Sequence, residues 1–152
     1  ARGIFSFCIE HSETSSLPIS AALAESPITA VDHVVVKTHS ADAAKRFYGK
    51  QLGVRLALEQ AVPEWGGTQL FFRASSMSIE VIASDKAPDH DEMWGLALKT
   101  ADIDATQKRL LSAGVDVTDV KAGRKPGTRG CTVKSHTFAI PTLLIEHPGT
   151  DQ

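Results

Sequence analysis

Ala30-Val31-Asp32-His33-Val34-Val35-Val36-Lys37, then Ser40-Ala41-Asp42-Ala43-Ala44-Lys45-Arg46-Phe47-Tyr48, then Leu52-Gly53-Val54 is the stretch on which the fold turns. Its first part is a β-branched run of strand length. Ser40 or Asp42 suits the N-cap of a helix, because a short oxygen-bearing side chain accepts from a free amide of the first turn. That helix should stop near Leu52-Gly53, where glycine supplies the left-handed C-terminal conformation, and a strand resumes over Val54 to Glu59. Pro63, Gly66 and Gly67 mark a turn. Thr68 to Arg73 and Met77 to Ile82 read as two further strands joined by Ala74-Ser75-Ser76 in a hairpin. The order is β-α-β-β-β.

Downstream the same order is written again, with Trp94 to Lys99 as strand, Asp102 to Ala113 as helix, and strands near Val115 to Lys121, Arg129 to Lys134 and Pro141 to His147. Lys37-Thr38 recurs as Lys99-Thr100 and Asp42-Ala43 as Asp104-Ala105, each 62 positions on. Leu52-Gly53-Val54 is echoed by Ala113-Gly114-Val115 one residue out of step. Several matches at one offset, on the same expected elements, indicate internal duplication. Module one is expected over 28–84, a linker over 85–91 and module two over 92–149. Upstream, Gly3 to Glu10 alternates in the manner of an extra N-terminal strand, and residues 12–27, rich in Ser, Ala and Pro, read as a linker. Ile9-Glu10-His11 resembles Ile145-Glu146-His147, so residues 1–27 are either a remnant of a preceding module or a coincidental echo.

The chain has 152 residues, 42% hydrophobic and 22% charged, which is ordinary globular usage and argues against disorder, collagen and coiled coil. A formal charge of -2 leaves no global attraction for nucleic acid or anionic membrane. Cys8 and Cys131 are too few for a disulfide framework or a four-cysteine zinc site, and reduced thiols fit a cytoplasmic location. The apolar runs fall far short of the roughly 20 residues that span a bilayer. No Gly-x-Ser-x-Gly, phosphate-loop, dinucleotide or His-Glu-x-x-His pattern is present.

Val31-Asp32-His33-Val34-Val35-Val36, Phe47-Tyr48 with Leu52-Gly53-Val54, Met77-Ser78-Ile79-Glu80-Val81 and Leu143-Leu144-Ile145-Glu146-His147-Pro148-Gly149 together resemble the vicinal oxygen chelate superfamily. That superfamily includes glyoxalase I, methylmalonyl-CoA epimerase, extradiol dioxygenases and bleomycin-resistance proteins, and the resemblance covers about residues 28–149. It implies an α+β fold of two tandem βαβββ modules whose eight strands form a cleft-shaped, glyoxalase-like sheet. It also implies a divalent metal ion (nickel, zinc, iron, manganese or cobalt) held by side chains from the first and last strand of each module. Here those positions hold His33, Glu80 and Glu146, while the fourth, 62 residues after His33, is Gly95, which has no donor. The gap argues against an extradiol dioxygenase.

By the same resemblance, Glu146 is the catalytic base, with Glu80 second, and the reaction is that of a lyase or isomerase working on a small-molecule substrate through a metal-chelated enediolate. The alternative is a metal-free small-molecule binding or sequestering protein of the bleomycin-resistance type, which Gly95 favours. A homodimer is expected on either reading. Read alone, His33 beside Asp32 suits a half-buried strand histidine paired with a carboxylate; the resemblance makes it a ligand. Arg124 and Arg129, in a basic Gly-flanked hairpin, are candidates for clamping the anionic tail of a substrate. Trp94, with Trp65, Phe71 and Phe72, is a candidate wall of an apolar pocket. His39, His90, His136 and His147 are expected at the surface.

Overall fold

The protein is described here by a computed structural model covering residues 3–7, 9–10 and 26–149. β1 (Ile28–Thr38) leads into α1 (Ala41–Ala44), which widens into a π-helical stretch over Lys45–Gln51. β2 (Arg55–Val62), a 3-10 turn at Pro63–Trp65, β3 (Gly67–Ala74) and β4 (Met77–Ala83) complete the first unit. The second comprises β5 (Glu92–Thr100), α2 (Ile103–Ser112), β6 (Lys121–Ala122), β7 (Arg129–Val133) and β8 (Thr142–Glu146). Ser40 Oγ accepts the Ala43 amide at 3.2 Å and the Asp102 carboxylate accepts that of Ala105 at 2.9 Å, so the two helices start on caps 62 positions apart. Gly53 and Gly114 follow their ends at φ +70° and +78°, the conformation glycine adopts without penalty.

All eight strands form one sheet in the order β2-β3-β4-β1-β5-β8-β7-β6. β1 and β5 pair antiparallel at its centre, and each runs parallel to the last strand of its own unit, so a local two-fold passes between them. Three register shifts interrupt the central pairing: one at Thr29, between Ile28↔Thr100 and Ala30↔Lys99, and two further bulges that match each other. Asp32 is the extra residue between Val31↔Leu98 and His33↔Ala97, and Trp94 is the extra residue between Val35↔Gly95 and Val36↔Met93. These bulges also lie 62 positions apart, so the duplication reaches into backbone irregularities that re-aim side chains.

One core gathers Val36, Ala44, Tyr48, Leu70, Phe72 and Val81; a second gathers Ile103, Val117, Cys131, Val133 and Leu144. Val34 and Leu96 are cross-strand partners in phase with Val36 and Leu98, so both helices cover the same face. The other face carries His33, Val35, Lys37, Gln69, Glu80, Ala97 and Lys99 by alternation. Arg124 and Gln60–Glu64, from opposite ends of the strand order, line one groove of about 450 Å³. The sheet therefore curls until its ends face each other, as a twisted sheet of eight strands readily does.

Two expectations are corrected. The extra N-terminal strand is absent among the described residues: Gly3–Phe7, Ile9 and Glu10 form no ladder, and while Ile4 packs against the first core, Phe5 and Phe7 stand 86% and 70% exposed. The linker expected over 12–27 and the echo at His11 fall largely outside the described residues. The strand expected over Val115 to Lys121 shrinks to Lys121–Ala122 and one bridge, Val117↔Val133. Around that bridge the Thr118 amide still donates to the Thr132 carbonyl at 3.0 Å and the Lys134 amide to the Asp116 carbonyl at 2.8 Å, while side chains supply the rest, with Ser135 Oγ accepting the Asp116 amide at 2.9 Å and Gln107 Nε2 donating to the Thr118 carbonyl at 2.7 Å.

Candidate functional site

A line of polar side chains crosses the open face of the first unit. Gln60 Nε2, on β2, donates to Gln69 Oε1 on β3 at 2.6 Å, and Gln69 Nε2 donates to Glu80 Oε1 on β4. Glu80 Oε2 lies 3.4 Å from His33 Nε2 on β1. The His33 and Glu80 side chains are 16% and 12% exposed, so both are shielded but reachable from the cleft. Gln69 is buried, and its amide links Gln60 on one side to Glu80 on the other.

Behind His33, the bulge at Asp32 turns a carboxylate toward the same site. Its Oδ2 accepts from His33 Nδ1 at 2.7 Å, while its Oδ1 accepts from His147 Nε2 at 2.7 Å and lies 3.4 Å from Lys99 Nζ. The His33 bond is the chief reason its carboxyl stays well below the usual carboxylate range; the His147 bond adds to this, against the opposing effect of burial. With the Nδ1 hydrogen given to Asp32, His33 Nε2 and Glu80 Oε2 face one another as two acceptors unless one proton lies between them. That pair can hand a proton to a ligand or take one from it.

Glu146 is engaged elsewhere. Leu144, two residues before it, belongs to the core under α2, and alternation sends Glu146 to that same face. Its Oε2 accepts the Ile103 amide at 2.8 Å, at the first residue of α2, and its Oε1 lies 3.6 Å from Arg129. Glu80 alternates with the core residue Val81 and points to the other face. The structure thus brings His33 and Glu80 together and leaves Glu146 apart from them. Among the described residues, no three His, Cys, Asp or Glu side chains are grouped so as to hold a metal ion. With two donors in contact, none at Gly95 and Glu146 serving α2, the donor set expected for a divalent metal does not fit these residues.

Gly95 occupies in β5 the place His33 holds in β1, as the 62-residue offset requires. A Cβ there would lie 3.2 Å from the Pro141 carbonyl, which already accepts the Leu96 amide at 2.9 Å, so this glycine admits a close backbone approach. Arg129 Nη2 binds Asp104 Oδ1 at 2.7 Å, which raises the guanidinium and lowers the carboxyl; Arg129 thus braces α2. Arg124 lines the groove that also contains Gln60, the outer end of the polar line. Trp94 is 42% exposed, and Lys37 Nζ sits 4.5 Å from the centroid of its ring. Phe72 is not a pocket wall: it is fully buried beneath Tyr48, their ring centroids 5.4 Å apart.

The pairing of His33 with Asp32, offered by the residues read alone, is present, whereas Lys99, Gln69 and His147 escaped the sequence reading. His147 was placed at the surface, yet it reaches across to Asp32. Once Leu144 is fixed in the core, His147 falls in the odd-numbered phase of Leu143 and Ile145 on the cleft face, but the apolar run itself carries no signal of that phase.

The sequence profile of the glyoxalase/bleomycin resistance protein/dioxygenase superfamily matches residues 32–133. Among solved structures, methylmalonyl-CoA epimerase from Mycobacterium tuberculosis is similar at a TM-score of 0.66 and 24% identity, over 86% of this chain and 95% of that one. A Streptomyces coelicolor methylmalonyl-CoA epimerase variant in complex with 2-nitronate-propionyl-CoA is similar at 0.64 and 19%, over 80% and 99%. These likenesses establish the eight-stranded fold. A segment of the UvrABC system protein C of Renibacterium salmoninarum is 33% identical over 104 residues; it makes up 68% of this chain but 15% of that protein's length. No helix among the described residues is long and apolar enough to cross a membrane. With the profile spanning two thirds of the sequence and the duplicated βαβββ frame beneath it, the chain belongs to the glyoxalase/bleomycin resistance protein/dioxygenase superfamily.

Proposed function

We propose that the chain binds a small molecule in the cleft of its first unit and moves a proton on it, as a lyase or isomerase acting beside a carbonyl. The observation that carries this is the 3.4 Å contact between His33 Nε2 and Glu80 Oε2, backed by Asp32 on one side and Gln69 on the other. In the reactive form Glu80 is the carboxylate and His33 the imidazolium. Glu80 removes a proton from the carbon next to the carbonyl, the C–H electron pair moves into the new C=C bond, and charge develops on the carbonyl oxygen. The Nε2–H of His33 stabilises that oxygen, and the Asp32 carboxylate stabilises the imidazolium. Return of the proton to either face of the carbon, or loss of a neighbouring group, completes an isomerisation or an elimination. Arg124, at the outer end of the Gln60–Gln69–Glu80 line, takes an anionic tail of the substrate.

The similar proteins include a methylmalonyl-CoA epimerase solved with methylmalonyl-CoA and NH4+, so 2-acyl thioesters head the substrate screen, followed by thiol adducts of 2-oxoaldehydes. The test is solvent deuterium uptake at the carbon beside the carbonyl, followed by NMR. Uptake that is saturable and lost in Glu80→Gln supports the reading. Saturable binding without uptake in any of these compounds replaces it with the sequestering protein, the second reading, which the separation of Glu146 from His33 and Glu80 favours.

A further inference from the structure

The local two-fold makes the cleft a pair of half-sites, and the two have diverged. Around β1 and β5, Asp32 and Trp94 are the matching bulge residues, Lys99 and Lys37 the matching lysines, and His33 and Gly95 the matching strand positions. In the first half-site the Lys99 ammonium meets the Asp32 carboxylate at 3.4 Å. In the second, Lys37 reaches the Trp94 ring instead, and among the described residues it forms no ion pair. Glu92 is its cross-strand partner in register, but that carboxylate lies 3.6 Å from His90 Nε2. Duplication has therefore kept a cation in place and put a flat aromatic surface where its anion stands in the other copy.

We infer that this second half-site is a ligand subsite for a planar anion, a carboxylate carried on an aromatic or conjugated frame. The carboxylate binds the Lys37 ammonium, which sits over the Trp94 ring at 4.5 Å from its centroid, and the flat frame stacks on the open part of the indole. Trp94 is 42% exposed, which leaves part of its ring open to a ligand beside Lys37. Lys37 and His33 project from the same face of β1 four residues apart, roughly 13 Å along a strand. The subsite thus lies in the same cleft as the proton-transfer pair without sharing a residue with it. The inference rests on the reading of that cleft as a small-molecule site and extends it to a substrate class.

The probe is 2-naphthoate, with 2-naphthylmethanol as its neutral counterpart, read by tryptophan fluorescence in a Trp65→Phe background so that Trp94 is the sole reporter. Saturable quenching by 2-naphthoate, about fivefold tighter than by the alcohol, is expected from one partly exposed ion pair. Lys37→Gln should bring the two affinities together, and Lys37→Arg should keep them apart. Glu80→Gln, which abolishes deuterium uptake under the proton-transfer reading, should leave naphthoate affinity unchanged, so the two ideas fail separately. Equal affinity for acid and alcohol in the parent protein, no saturable quenching up to millimolar probe, or naphthoate binding lost in Glu80→Gln but intact in Lys37→Gln would each overturn the subsite.

Discussion

Replacing Glu146 by alanine should weaken the fold and spare the chemistry. Glu146 Oε2 accepts the amide of Ile103 at 2.8 Å, and Ile103 is fully buried. Removing the carboxylate strands that N–H away from water, at a cost of about 1–3 kcal/mol, and deletes a negative charge from the positive end of α2, worth about 0.3–1 kcal/mol. The Asp102 cap survives and Arg129 keeps Asp104, so the lower half of the combined range applies, about 2 kcal/mol. For a chain of this size that is a fall in Tm of about 4–8 °C. Glu146→Gln keeps an acceptor oxygen and loses only the charge, so its loss is about 1 kcal/mol. Thermal unfolding followed by circular dichroism should order the proteins parent, Gln, Ala. Deuterium uptake by a substrate that Glu80→Gln no longer exchanges should proceed at the parental rate in both Glu146 variants. An unchanged Tm together with lost uptake would refute the structural role of Glu146 and return it to the reacting centre.

Other consequences follow from individual residues. The Asp32 carboxyl is depressed in the folded state, so its contribution is fully present above the unfolded carboxylate range near pH 4 and is lost as pH falls through that range toward its folded value. Urea midpoints measured between pH 6 and pH 3 should therefore decline less steeply in Asp32→Asn than in the parent; parallel slopes would contradict the Asp32 contacts. Gly95→His, which restores the side chain missing from the second half-site, should destabilise by about 1–2 kcal/mol, because its Cβ presses on the Pro141 carbonyl at 3.2 Å. A rise in Tm would mean that the backbone approach there is loose. Phe72→Ala empties the centre of the first core and should cost about 3–5 kcal/mol in chemical denaturation.

The fold was legible because the duplication is written in caps and strand ends. Ser40 and Asp102 begin the helices, Thr38 and Thr100 are buried at the ends of the paired central strands, and Gly53 and Gly114 turn the chain back. The site was only half legible. His33 and Glu80 were placed by strand order and do meet. Glu146 was aligned with Glu80 by motif, but Leu143-Leu144-Ile145 is apolar throughout, and a run with no alternation does not reveal which face its following residue takes. Only the packing of Leu144 under α2 settles the phase. The neighbouring Asp32 was legible as a partner of His33, but the bulge that also brings it to His147 and Lys99 carries no signature in sequence. The short β6 shows the same limit, since Val117 keeps a single bridge to Val133 while Gln107 and Ser135 side chains take the Thr118 carbonyl and the Asp116 amide.

The central claim is that a His33–Glu80 pair braced by Asp32, and not a three-ligand metal centre including Glu146, is the reacting group of this cleft. Metal content of gently purified protein, by elemental mass spectrometry after incubation with nickel, zinc, iron, manganese or cobalt, tests it most directly, with His33→Ala and Glu146→Ala as controls. The account predicts substoichiometric metal that does not change in the Glu146→Ala protein. One equivalent of metal that disappears in both variants would contradict it.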